Sequence, residues 1–175
     1  MRLILLLFPL LFLLAGCGST VSEPESEPQP PAQEVDSGPE SRYRNSRFGY
    51  ALNPPENLPV YALTPEQTAV LADEQAEVVF LVENETNFFT IRGIQDSRSA
   101  HEWVTQNILF FYPTGDAAQR VTEFAGHQAI VLTGSGTTES PAKLIVFQYN
   151  GNLIVISYEH DTPTFESLLE AFLTI

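Results

Sequence analysis

Three histidines, one cysteine and a Ser-x-x-Lys spacing are the features of this chain whose residue types can make or break bonds. A zinc-binding helix of the His-Glu-x-x-His type needs a second histidine one turn after the first, so that two ligands share one face. After His101-Glu102 that position holds Thr105, and His101 reads as a surface helix residue. Ser140-Pro141-Ala142-Lys143 has the spacing of serine–lysine acylation, but that chemistry needs the serine to open a helix and a distant Lys-Thr-Gly partner. Here an apolar strand follows and no such partner exists, so the segment reads as a loop with a lysine at a strand edge. His127 and His160 meet His101 only if the fold brings them together, and they read as structural or surface residues. Gly134-Ser135-Gly136 lacks the Lys-Ser/Thr that a phosphate loop needs. Asp73, Glu74, Glu77, Glu83 and Glu85 lack the alternating oxygen spacing of a calcium loop and read as a solvated face. The residues therefore assign no catalytic group, no cofactor and no metal, and the expectation is a protein that is not an enzyme. Phe110-Phe111-Tyr112-Pro113 is expected to pack in the core; exposure of part of it would mark a partner site.

The cysteine is the exception. Met1-Arg2 gives a positive start, and the apolar run from Leu3 to Gly16 falls short of the roughly 20 residues that a spanning helix needs. It ends Leu13-Leu14-Ala15-Gly16-Cys17. This run resembles the lipobox of bacterial lipoproteins, an aliphatic residue and two small ones before a cysteine. The resemblance implies a signal peptide over 1–16, diacylglycerol transfer to Cys17, cleavage before it and acylation of the new amino terminus. Each buried methylene contributes ~0.8 kcal/mol, so two or three acyl chains hold firmly where one does not. The expected location is extracytoplasmic, lipid-anchored to the cell membrane or the outer membrane. Gly18 stands where an aspartate would resemble an inner-membrane retention signal.

Residues 17–41 are expected to form a tether. Pro24, Pro28, Pro30, Pro31 and Pro39 alternate there with Glu23, Glu25, Glu27, Glu34, Asp36 and Glu40, without an aromatic or basic residue. Such a segment buries too little apolar surface to offset its ordering entropy, and proline with like-charge repulsion extends it. At ~3.1 Å per residue its outer limit is about 75 Å. The whole chain carries a formal charge of −14, which argues against nucleic acid and against electrostatic attachment to an anionic bilayer. Its single cysteine excludes an internal disulfide framework and any multi-cysteine zinc or iron–sulfur site.

The elements that position everything else lie in 42–175. Tyr43-Arg44 and Phe48 to Leu52 flank a polar turn and read as a hairpin, and Val60 to Leu63 reads as a short strand. Thr64-Pro65-Glu66-Gln67 has helix-start chemistry, with a helix running towards Glu74. Val78–Val82 and Phe88–Ile94 read as a hairpin across Asn84-Glu85-Thr86. Ser99 with Glu102 predicts a capping box opening a helix to about Phe111, with Ala100, Trp103, Val104, Ile108 and Phe111 on one stripe. Four strands are predicted at 119–124, 128–133, 144–149 and 153–158, the last two joined by Asn150-Gly151. Thr162-Pro163 opens a final helix with Phe165, Leu168, Leu169 and Phe172 on its stripe.

Leu144-Ile145-Val146-Phe147 and Leu153-Ile154-Val155-Ile156 do not alternate, so both faces of that hairpin must be covered. The tryptophan helix and the C-terminal helix are the available covers. The expected fold is α/β (α+β), an antiparallel sheet covered by helices on both faces as an α/β/α sandwich.

A second resemblance follows. Tyr43-Arg44-Asn45 with Phe48-Gly49-Tyr50-Ala51-Leu52-Asn53-Pro54 is similar to the opening of PsbP-like domains. Gly126-His127-Gln128-Ala129, the Asn150-Gly151 hairpin and Thr164 to Phe172 are similar to their end. A tryptophan often follows the early proline in that family; here the residues are Glu56-Asn57-Leu58. The resemblance implies a sandwich used mainly for binding. The expected function is thus a lipid-anchored envelope lipoprotein whose non-catalytic domain binds a protein partner. The alternatives are a carrier of a small or lipidic ligand, or a cryptic hydrolase using His101, His127 or His160 beside a carboxylate.

Overall fold

The computed structural model describes residues 33–34, 43–63, 76–85, 87–137 and 140–175. The signal peptide, Cys17, nearly all of the tether and the helix expected from Thr64 lie outside them. Among the described residues the strands are β1 (Gln33–Glu34), β2 (Tyr43–Asn45), β3 (Tyr50–Leu52), β4 (Val60–Ala62), β5 (Ala76–Asn84), β6 (Asn87–Ile94), β7 (Ala118–Phe124), β8 (His127–Thr133), β9 (Lys143–Tyr149), β10 (Asn152–Tyr158) and β11 (Leu173–Thr174). The helices are α1 (Ala100–Phe111) and α2 (Pro163–Glu170). None of these helices is long and apolar enough to cross a membrane.

Eight strands form one antiparallel sheet in the order β1-β4-β5-β6-β10-β9-β8-β7. Its centre is the β9–β10 hairpin. Asn150 and Gly151 take φ of 49° and 75°, the positive values that a tight hairpin turn with the right twist requires. That turn sets the register, with Asn152 opposite Tyr149 and Val155 opposite Val146. Because side chains alternate across a strand, the apolar runs send residues to both faces. Ile145, Phe147, Ile154 and Ile156 join Val79, Leu81, Phe89 and Ile91 in one core. Leu144, Val146, Leu153 and Val155 join Ile130 and Leu132 in the other.

The second core is closed by α1. Ser99 caps it as expected: its hydroxyl accepts from the Glu102 N–H at 3.2 Å while the Glu102 carboxylate accepts from the Ser99 N–H at 2.9 Å. Trp103, Val104, Phe111 and Tyr112 then face the sheet. The Tyr112 N–H still reaches the Ile108 carbonyl at 2.8 Å, and Pro113, which has no N–H to donate, follows it.

The first core corrects the expected architecture. The protein is mostly β, and no helix-on-both-faces α/β/α sandwich forms. The face opposite α1 is covered mainly by a second antiparallel sheet, β11-β3-β2, with α2 beside it. Phe48, Tyr50, Leu52, Phe165, Leu168 and Phe172 fill that side together, and Tyr50 stacks on Phe172 at 5.6 Å. The physical reason is length. α2 has 8 residues, about 12 Å, and cannot span a face several strands wide. The chain therefore leaves the helix after Glu170 and continues through Phe172 into β11, which pairs with β3.

Asn45 locks the small sheet to the large one. Its side-chain carbonyl accepts the Phe48 N–H at 2.9 Å, which closes the β2–β3 turn. Its amide donates to Glu77 of β5 at 2.9 Å, and Arg47 donates to the other oxygen of the same carboxylate at 2.9 Å. Burial pushes the nearby Tyr50 hydroxyl well above its ordinary pKa, so it stays protonated.

At the centre of this interface Phe48 lies flat over Gly93 of β6. A Cβ at position 93 would stand 2.3 Å from the Phe48 ring. Gly93→Ala is expected to destabilise the fold by about 1–3 kcal/mol, as overpacking does, and Phe48→Leu in the same chain to recover part of the loss. Urea unfolding of the three variants measures this; an additive double mutant would contradict the contact.

Candidate functional site

The residues singled out for chemistry do not assemble into one centre. His101 is exposed on α1, where its carbonyl accepts from the Thr105 hydroxyl at 2.8 Å. His127 stacks on Phe147 at 5.9 Å, with its Nε2 3.3 Å from the Thr174 hydroxyl oxygen. His101 and His127 do border one groove of ≈ 480 Å³, but the other described residues lining it include no carboxylate. His160 lies elsewhere, its backbone N–H donating to the Asn87 side-chain carbonyl at 3.1 Å. Among the described residues no three of His, Cys, Asp and Glu converge as metal ligands would. Glu77 is taken by Asn45 and Arg47, and Glu83 accepts from Asn87 at 2.8 Å. Asp73 and Glu74 lie outside the described residues.

Ser140 and Lys143 are likewise separated in role. Ser140 bridges to Thr137 through paired backbone hydrogen bonds of 2.8 and 3.0 Å. Lys143 opens β9 and turns to α2, with its ammonium 2.6 Å from Glu166 and 3.6 Å from Asp161. The Lys143 hydrogen bond is the main reason why the Glu166 carboxyl sits below its ordinary value. Tyr158 donates to the same Glu166 oxygen at 3.0 Å, and its own pKa is driven far up, first by burial and then by the two carboxylates.

A different constellation is present, on the α1 side of the main sheet. α1 packs on β8 and β9. Strands β5 and β6 extend beyond it, and between them, the end of α1 and the end of β10 lies a groove of ≈ 360 Å³. Phe80, Phe88, Phe110 and Phe111 supply its aromatic walls. Phe80 and Phe88 meet edge-on at 6.3 Å, and Phe110 stands edge-on to Phe111 at 5.1 Å. Phe111 is buried, whereas Phe110 is 65% and Leu109 66% exposed. Part of the aromatic cluster thus reaches solvent.

Arg92 of β6 is the one basic side chain among the described residues that line this groove. Its guanidinium lies 5.5 Å from the Phe111 ring centroid, a cation–π contact of ~0.5–2 kcal/mol. No carboxylate pairs with it among the described residues. Its Nε is buried without an acceptor, which costs about 1–3 kcal/mol. Burial also lowers its pKa, although a guanidinium stays charged throughout the physiological range. Arg92 is not among the residues whose type alone points to chemistry. The signal was the alternation in Phe88-Phe89-Thr90-Ile91-Arg92: Phe89 and Ile91 enter the core, so Phe88, Thr90 and Arg92 share the other face.

Two outcomes check this electrostatic picture. Arg92→Met removes a half-buried cation that has no counter-ion among the described residues, so it is expected to leave stability unchanged or to raise it by up to about 2 kcal/mol in urea unfolding. A clear loss would show that the charge is structurally compensated. A carboxyl with a depressed folded pKa contributes stability above its ordinary 4.5 and loses it as the pH falls through the depressed value. The urea midpoint of the wild type should therefore drop more between about pH 5 and pH 3 than that of Glu166→Gln. Equal drops would contradict the Lys143–Glu166 pairing. Comparison with protein-family models, curated proteins and solved structures finds no match to this chain.

Proposed function

We propose that the chain is a lipid-anchored lipoprotein of the cell envelope, held through Cys17, and that residues 42–175 are a non-catalytic module that docks a protein partner. The observation that carries the docking role is the exposed pair Leu109 and Phe110 at the end of α1. A soluble domain that buries Phe111 and Tyr112 has no packing reason to leave two large apolar neighbours in water. Aromatic residues beside a concave surface are what the centres of protein interfaces use. The lipobox resemblance over Leu13–Cys17 supports the anchor. The similarity of residues 43–54 and 126–172 to PsbP-like domains supports a binding role, although the helix-covered sandwich it implied is not the fold observed.

A second reading, an extracytoplasmic carrier of a small ligand, is favoured by one specific observation. The groove volume lies in the range of small-molecule sites, about 300–1,000 Å³, and its lining sets an aromatic wall against hydroxyl and charged groups.

The primary reading is tested in the native envelope. A photo-crosslinking phenylalanine analogue placed at position 110 should give one discrete adduct that is lost with Leu109→Ser, while the same analogue at position 123, on the far edge strand β7, gives none. Identical adduct patterns at the two positions would remove the docking role. Mass spectrometry of the purified protein should find acyl chains on Cys17, and an unmodified thiol would remove the anchor.

A further inference from the structure

The Arg92 groove combines two features that protein docking on Leu109 and Phe110 does not require. One is a half-buried cation in the lining of an aromatic groove. The other is that no carboxylate among the described residues pairs with it: Glu159 also borders the groove but forms no ion pair with Arg92. The chain as a whole has 22 acidic and 8 basic side chains, so a base without a carboxylate partner among the described residues runs against its composition. The guanidinium is fixed on one side by the Phe111 ring, and its Nε hydrogen has no acceptor. A guanidinium that pairs with no carboxylate among the described residues is a strong handle for an anion. A carboxylate matches the planar fork of a guanidinium in shape as well as charge. The hydroxyls of Thr90, Ser140 and Ser157 sit in the same lining, and Phe80, Phe88 and Phe110 offer an apolar wall to whatever the anionic group is attached to.

The geometry points to the groove as a binding site for a small monocarboxylate with an aromatic or aliphatic body, its head on Arg92 and its body against Phe80, Phe88 and Phe110. This deepens the carrier reading and rests on it; it is independent of the crosslinking result at position 110. Head and body act together: the carboxylate pairs with the charge of the guanidinium, and the body displaces water from the aromatic wall. Neither a bare anion nor an uncharged amphiphile satisfies both halves of the site.

The built-in reporter is Trp103, the one tryptophan of the chain, whose ring lies 5.9 Å from that of Phe111. The full-length protein in phosphatidylcholine vesicles would be titrated with 4-phenylbutyrate, with 4-phenylbutanol as its uncharged counterpart and with acetate as a head without a body. The expected result is a saturable change in Trp103 fluorescence with phenylbutyrate, and at least about tenfold weaker binding of both phenylbutanol and acetate. In Arg92→Met the preference for phenylbutyrate over phenylbutanol should disappear while the weak binding of the alcohol persists. Equal affinities for acid and alcohol in the wild type, an unchanged preference in Arg92→Met, or no saturable change would each overturn the site. Tighter binding of acetyl-trialanyl-phenylalanine than of phenylbutyrate would overturn the small-ligand assignment in favour of a peptide carboxyl terminus.

Discussion

The structure depends on one constraint: the β9–β10 hairpin is apolar on both faces. Leu144 to Phe147 and Leu153 to Ile156 are all buried, so each face of the central strands must be shielded from water. A burial of this kind contributes roughly 1.5–3 kcal/mol per large side chain, and these two runs account for much of the two cores. Everything else is arranged to supply the shields. On one side that is α1, with Trp103 and Val104 over β8 and β9. On the other it is the small β11-β3-β2 sheet with α2, tied down by Asn45 and Glu77.

The shields are unequal, and the functional reading grows from that inequality. The small sheet reaches across to β6, where Phe48 rests on Gly93. The helix on the opposite side does not reach as far. Over β5 and β6 the α1 side of the sheet therefore ends in an aromatic groove with Arg92 in it, and the last turn of the helix leaves Leu109 and Phe110 at its lip. The same residues that make the site incomplete as a core make it usable as a surface. A partner on the lip and a carboxylate in the groove would each cover apolar area that the fold leaves open. An acyl anchor on Cys17 would hold that surface at the envelope whichever of the two it binds.

Much of the local structure was legible because it is encoded over a few residues. Ser99 and Glu102 announce the start of α1, Asn150-Gly151 sets the central hairpin, and Thr162-Pro163 opens α2, each by a hydrogen bond or a backbone preference confined to one turn. The architecture was misread because it depends on distances between elements. Tyr50-Ala51-Leu52 is too short to show alternation, and all three residues are buried, so nothing in those letters marks a strand that covers another sheet. Leu173-Thr174 carries no strand signal at all; only its pairing to β3 makes it one. Of the candidate site, the Phe110 to Pro113 cluster is legible in the sequence but its division between core and solvent is not, since exposure is decided by where the helix ends relative to the sheet. Arg92 stood in plain alternation with Phe88 and Thr90, and its significance appeared only once the neighbouring strands were seen to offer it no carboxylate.

Native-state hydrogen exchange tests the governing constraint most directly. The amides of Ile145, Val146, Ile154 and Val155 should exchange only through global unfolding, with an opening free energy equal to that from urea denaturation, while Val121 and Thr122 on the exposed edge strand β7 open far more easily. If the central hairpin exchanged as readily as that edge, its two faces would not both be sealed, and the account of the fold and of its groove would be wrong.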